Sequence, residues 1–277
     1  MPELPEVETV RRVLKKEVLN KKILSASIYW DNIIAYPKVK EFERKIKNQA
    51  IMNIDRYGKW LMFELNDYYL LSHLRMEGKY FIRNTNDPKE KHHHVLFHFS
   101  DGTDLRYADT RKFGKMYLLN KEEVFKVKPL KDLGLEPWDK RLTKDYLKKH
   151  FHKKPIKTEL LDQSIIVGIG NIYADEILFL SKINPKKLAP DLTDKECHSI
   201  IKYTRKILEE AIKKGGTTVK SYTSSEGVHG RFQSHLLVHT KETCQICKGK
   251  ITKITVGGRG TYYCKNCQKE VIQGSVH

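Results

Sequence analysis

Residues 60–83 read WLMFELNDYYLLSHLRMEGKYFIR, and the spacing of their apolar side chains decides the fold class. Short runs with a period near two, WLMFEL, YYLLSHLRM and KYFIR, follow one another where a helix would repeat every three to four residues. The same pattern extends outward over about 23–120, through HHVLFHF and LRYAD, and SDGT at 100–103 supplies an Asp-Gly hairpin turn. This predicts a mostly antiparallel β-domain.

On its N-terminal side the period changes. Val7, Val10, Leu14 and Val18 recur at helical spacing, and Glu3, Glu6 and Glu8 sit where the positive end of a helix dipole favours acids, so residues 3–19 read as a helix. On the C-terminal side KPLKDLGLEPWD (128–139) loses periodicity around Pro and Gly, which marks a domain boundary. Helical segments follow: TKDYLKKHF, KTELLDQS, NIYADEILFLSKI and TDKECHSIIKYTRKILEEAIKKGG, with Gly215 and Gly216 as the expected stop. TSSEGVHGRFQ then reads as a loop, and a small cysteine-bearing module begins near 240.

The formal net charge of +18, with pI near 9.5, favours a polyanionic partner, nucleic acid first. No stretch approaches the run of apolar residues a membrane helix needs. The charged start EVETVRRVLKKEVL has no apolar centre and no small-residue cleavage site, so a cytoplasmic protein is expected.

CQIC at 244–247 and CKNC at 264–267 form two C-x-x-C knuckles around KITKITVGGRGTYYC, which reads as a hairpin turning at Gly257 and Gly258. Four thiolates in this pattern predict a structural zinc on Cys244, Cys247, Cys264 and Cys267, in preference to two disulfides or redox dithiols in a reducing compartment. Arg259 at the hairpin tip is placed to grip a phosphate, or is a solvated turn residue. VGIGNIYADE (167–176) puts Asn171 at a helix start, a weak anion-binding signal in itself. SHLRMEGKY and YADTRKFGKM lie at strand ends and carry Met76, Arg111 and Phe113. Met and Phe can act as wedges between base steps, but such residues in a β-sandwich are ordinarily core. In KHHHVLFHF, alternation puts His92, His94 and His98 on one face and His93 on the other, which argues against a shared metal ion.

PELPEVETVRR, GKW, SHLRMEGKY, LRYADTRKFGKM, VGIGNIYADEILF and the paired knuckles, in this order and over essentially the whole chain, resemble formamidopyrimidine-DNA glycosylases. The resemblance implies an α+β architecture: an N-terminal helix plus β-sandwich domain (1–131), a helix–two-turns–helix domain (138–225) and a C-terminal zinc ribbon (236–277). It implies a bacterial base-excision-repair enzyme, monomeric and associated with the nucleoid. Its substrate would be double-stranded DNA containing oxidised purines or abasic sites. Pro2, freed by removal of Met1, would be the nucleophile through its secondary amine, whose reference pKa is about 8. Glu3 would be the general acid, Glu6 a further acid of the site, and Lys59 the hairpin lysine near the damaged base. Without the resemblance, Glu3 and Glu6 are dipole partners and Lys59 a surface lysine.

By the same matching, Met76, Arg111 and Phe113 would fill the gap left by a flipped lesion. His73, His92, Lys157, Asn171 and Arg259 would hold phosphates, and the 217–231 segment would close over the extruded base. The chain departs from the family pattern at His93, which stands where an acid is usual, at His239 in VHTKETC, where a Tyr-Gly-Arg run is common, and at CKGK (247–250), where a glycine normally follows the knuckle. Competing readings are an endonuclease VIII-like glycosylase for oxidised pyrimidines and a non-catalytic zinc-ribbon DNA-binding protein.

Overall fold

The computed structural model describes residues 1–218 and 235–270, and the chain divides into two compact units. The first holds Met1–Asp132, with the end of the long helix from Ile212. It opens with α1 (Leu4–Val18), whose Val7, Val10, Leu14 and Val18 are buried at the predicted spacing. Nine strands follow in two sheets. β1 (Ile23–Ile28), β7 (His93–Phe99), β8 (Thr103–Ala108) and β6 (Lys79–Asn84) form one. The other has the order β2 (Ile34–Tyr36), β9 (Lys115–Asn120), β5 (Tyr68–His73), β4 (Trp60–Glu64) and β3 (Asn53–Tyr57). All pairings are antiparallel except the short β2–β9 pair. Side chains of both sheets and of α1, among them Leu14, Ile54, Leu61, Phe97 and Met116, make one continuous core. Each such residue contributes roughly 1.5–3 kcal/mol on burial.

Two expectations change here. VKEFERKI, inside the stretch read as β, forms helix α2 (Val39–Ile46), because Phe42 and Ile46 are one turn apart and both enter the core. The histidine run does not alternate as expected, since a register shift between His93 and Val95 interrupts β7. The Asp-Gly turn is where it was predicted, with Gly102 at φ +84° between β7 and β8.

The second unit contains α3 (Lys144–His150), α4 (Ile156–Leu160), α5 (Asn171–Ser181) and most of α6 (Asp194–Thr218), then the hairpin β10 (Ile251–Val256) and β11 (Arg259–Cys264). Val256 and Arg259 pair directly, and Gly257 and Gly258 take φ +56° and +77° between them, the two-residue turn that needs positive φ twice. Gly215 does not stop α6, which continues to Thr218. Its role is close packing in the first unit, where a Cβ on Gly215 would meet Thr9 Oγ1 at 2.6 Å. Among the described residues no helix is long and apolar enough to cross a membrane.

Candidate active site and nucleic-acid interface

Glu3 is the N-cap of α1 and is 1% exposed, and the Glu6 carboxylate accepts its N–H at 3.0 Å. A capping box therefore holds the residue next to Pro2 in place. α1 is tied to the β3–β4 hairpin by an ion cluster in which Glu8, read in the sequence as a dipole partner, meets two arginines that the sequence did not mark out. The Glu8 carboxylate accepts from Arg11 Nε at 2.7 Å and lies 3.8 Å from Arg56 Nε. Arg11 donates onward to Ile54 O at 3.1 Å, and Arg56 to Gly58 O at 3.1 Å. The Glu8–Arg11 and Glu8–Arg12 spacings are a readable helical signal, but their strand partners are 40-odd residues away in sequence. The hairpin turns on Gly58 at φ +56° and carries Lys59, which is buried.

His73 ends β5 beside this hairpin, paired with Trp60 and packed edge-on against its ring. Its Nδ1 accepts the Arg75 N–H at 3.0 Å, which leaves Nε2–H as the donor of the neutral ring. Burial, and then the charges of Arg75 and Lys59, push its pKa down to about 3. A neutral ring of this tautomer offers one N–H without needing a proton from solution.

Met76, Arg111 and Phe113 are exposed, Met76 at 41% and Phe113 at 48%, so the core reading of these residues is replaced by a surface one. The Arg111 guanidinium lies over the Phe113 ring at 4.8 Å. Their loop is built around Asp109, which is 1% exposed. Its Oδ1 accepts the N–H groups of Arg111 (3.1 Å) and Lys112 (3.0 Å), and its Oδ2 those of Gly114 (2.8 Å) and the Tyr107 hydroxyl (2.9 Å). Thr110 Oγ1 bonds the Glu77 carboxylate and so links this loop to the Met76 turn. His92 precedes β7 and is half-buried; His94 bonds Asp109 O at 2.9 Å and His98 bonds Asp104 at 2.8 Å, so the run serves separate partners.

In the second unit Lys157 is wholly buried, with its ammonium on the Asp175 carboxylate and 3.2 Å from Thr261 Oγ1. Asp175 Oδ2 also accepts the Tyr262 N–H at 3.1 Å and faces His239 Nδ1 at 2.6 Å. Its neighbour Glu176 accepts three backbone N–H groups, from Leu237, Val238 and His239. Burial pushes the Glu176 pKa up against these bonds. Asn171, the first residue of α5, donates to Gly260 O at 3.0 Å. These contacts seat the ribbon hairpin on α5 and leave Arg259 exposed at its tip.

Cys244, Cys247, Cys264 and Cys267 bring their four sulfurs within 4.8 Å of one another. Sγ–Sγ distances of 3.9 Å (Cys244–Cys267) and 3.5 Å (Cys247–Cys264) match the roughly 3.8 Å edge of a tetrahedron with metal–sulfur bonds of about 2.3 Å. Hydrogen bonds from Gly249 N and then from neighbouring groups bring the Cys247 thiol down to about 6, whereas burial pushes the Cys264 and Cys267 thiols up in the metal-free fold. The donor set fits one structural zinc.

Residues 1–116 match the formamidopyrimidine-DNA glycosylase N-terminal domain, 133–223 the H2TH domain of the same enzymes, and 241–269 the zinc finger found in FPG and IleRS. The formamidopyrimidine-DNA glycosylase of Shouchella clausii is 47% identical over 273 residues, 97% of this chain and 99% of its own. The chain belongs to the formamidopyrimidine-DNA glycosylase family. Among solved structures, the Lactococcus lactis Fpg in complex with DNA containing an abasic site superposes with a TM-score of 0.87 at 39% identity, over 97% of this chain and all of its own. The same enzyme bound to DNA containing N7-benzyl-Fapy-dG gives the same values.

The two histidines that depart from the formamidopyrimidine-DNA glycosylase pattern have different surroundings. His93 is buried against Phe81 with neither ring nitrogen hydrogen-bonded, and Glu90, 3.7 Å from Nε2, supplies a nearby acid. His239 is oriented by Asp175 and packs edge-on against Tyr262 at 4.9 Å. Most of the 217–231 segment lies outside the described residues.

Proposed function

We propose that this chain is a DNA glycosylase with abasic-site lyase activity that removes oxidised purines, 8-oxoguanine and formamidopyrimidines, from duplex DNA. The observation that carries the reading is the buried, capped Glu3 carboxylate directly following Pro2, in the unit that also presents Met76, Arg111 and Phe113. Relatives that act on or bind such DNA support it.

After removal of Met1, the Pro2 nitrogen attacks the sugar C1′ and the bond from C1′ to the base breaks, the base leaving with a proton. Glu3 protonates the ring oxygen as the sugar opens, giving an iminium at Pro2. A secondary amine leaves no N–H on that iminium, so the positive charge persists and draws electrons from the C2′–H bond. The 3′ phosphate leaves, then the 5′ phosphate, and water releases the sugar fragment from Pro2. Lys59 sits in the adjoining hairpin as a cation for the lesion and its phosphates. Met76, Arg111 and Phe113 occupy the space of the extruded nucleotide. His73, His92, Asn171 and Arg259 hold phosphates, and Lys157 supports Asn171 and Arg259 from behind through Asp175 and Thr261. Zinc on the four cysteines has a structural role. The enzyme works as a monomer in the bacterial cytoplasm, at the nucleoid.

Borohydride reduction during reaction with an 8-oxoguanine duplex tests this. A covalent protein–DNA adduct is expected at Pro2, and none from protein that retains Met1. A binding protein without chemistry gives no adduct in either form. A parallel thymine-glycol duplex separates the purine reading from the pyrimidine one by relative rate.

A further inference from the structure

An aromatic and basic strip adjoins the Arg111–Phe113 loop and has no part in the chemistry above. Tyr29 and Trp30, at the end of β1, are 53% and 37% exposed. The Lys89 ammonium lies 4.7 Å from the centroid of the Tyr29 ring, and that of Lys112 lies 3.9 Å from the centroid of Trp30. Lys112 stands between Arg111 and Phe113 and holds φ +58°, a conformation that a glycine would adopt with less strain than a lysine. Asp109 fixes its backbone, and Lys115 Nζ donates to Asn32 O at 2.6 Å, so the two loops are pinned side by side. Lys89 and Lys112 place their ammonium groups on the two rings, Lys91 and Lys115 are further cations of the same segments, and Asp31 and Glu90 are the acids next to them in sequence.

We infer that Tyr29, Trp30, Lys89 and Lys112 form an additional binding surface for the sugar–phosphate backbone of duplex DNA, continuing the interface past the inserted loop. Three features select this occupant. Aromatic faces bearing ammonium groups pack on deoxyribose and place cations at phosphates. The local charge complements a polyanion. The surface is continuous, through the single residue Lys112, with the loop assigned to the lesion gap. The inference rests on that assignment, and its tests are therefore made on undamaged duplex, where the wedge has no gap to fill.

Lys89→Ala and Lys112→Ala should each flatten the dependence of log K on log salt by about 0.9, one phosphate apiece. Trp30→Ala should weaken binding about fivefold, with recovery in Trp30→Phe. Duplex DNA should protect part of the tryptophan emission from iodide, and that protected part should be missing in Trp30→Phe. Lys89 lies over Tyr29, and Lys112 is the residue that joins the strip to the loop, so a surface that merely braces the loop would leave the Lys89→Ala slope unchanged. That outcome, or equal iodide quenching of Trp30 with and without DNA, overturns the proposal. Failure of the wedge assignment would show separately, as unchanged lesion affinity in Phe113→Ala.

Discussion

The Tyr107 hydroxyl donates to Asp109 Oδ2 at 2.9 Å, directly beneath the loop that presents Arg111 and Phe113. Burial pushes the Tyr107 pKa far up, so it stays a hydroxyl. The same oxygen closes off two glycines: a Cβ on Gly78 would come within 2.6 Å of it, and one on Gly114 would collide with it outright. The turn after Met76 and the loop of Arg111 and Phe113 are therefore both set by one phenol. Gly114→Ala is expected to lower the unfolding free energy by about 2 kcal/mol, measured in urea. It should slow 8-oxoguanine excision by about tenfold (roughly 1.4 kcal/mol in the barrier) and affect a pre-formed abasic site less, since less unstacking is needed there.

Glu3→Gln should separate the two halves of the chemistry. Glutamine keeps a carbonyl oxygen for the α1 cap, so thermal stability should change by less than about 1 kcal/mol. The variant cannot protonate the sugar ring and should lose 8-oxoguanine excision, yet still form a borohydride-trapped adduct with a pre-formed abasic site. Excision at the parental rate would remove Glu3 from the mechanism.

His73 gives a pH prediction whose sign follows from its pKa of about 3 in the fold against about 6.5 for an unperturbed histidine. Between these values the unfolded chain binds the proton and the folded one does not, so this residue favours unfolding increasingly as pH drops below 6.5. His73→Asn, which retains an acceptor for the Arg75 N–H, should lose stability less steeply from pH 6.5 to 4 than the parent. Parallel acid limbs in urea titrations of the two proteins would contradict the assignment.

Replacing Cys247 with Ser should abolish stoichiometric zinc, measured by metal analysis. It should unfold the hairpin while near-UV signals from the β-sandwich persist, because structural zinc supplies on the order of 10 kcal/mol to so small a module.

Arg259→Ala should leave the zinc content intact. It should weaken binding to all duplexes alike and flatten the salt slope by about 0.9. An unchanged slope would place the hairpin tip away from DNA.

Much of this was legible in the chain itself. Helical spacing of Val7, Val10, Leu14 and Val18 located α1, alternation over 60–83 located the sandwich, and the two knuckles located the metal, because each signal is local and repeats with a fixed geometric period. The candidate chemistry at Pro2 and Glu3 came from the resemblance carried by PELPEVETVRR, since residue spacing alone makes Glu3 a helix-dipole partner. Only the tertiary structure decided that Met76 and Phe113 face outward, that Gly215 is a packing contact and not a helix stop, and that Lys157 is buried on Asp175. It also decided that Glu8, Arg11 and Arg56 clamp α1 to the Lys59 hairpin. These outcomes turn on which side chains meet across long sequence separations. Burial and charge pairing are properties of the assembled neighbours, which no local period encodes.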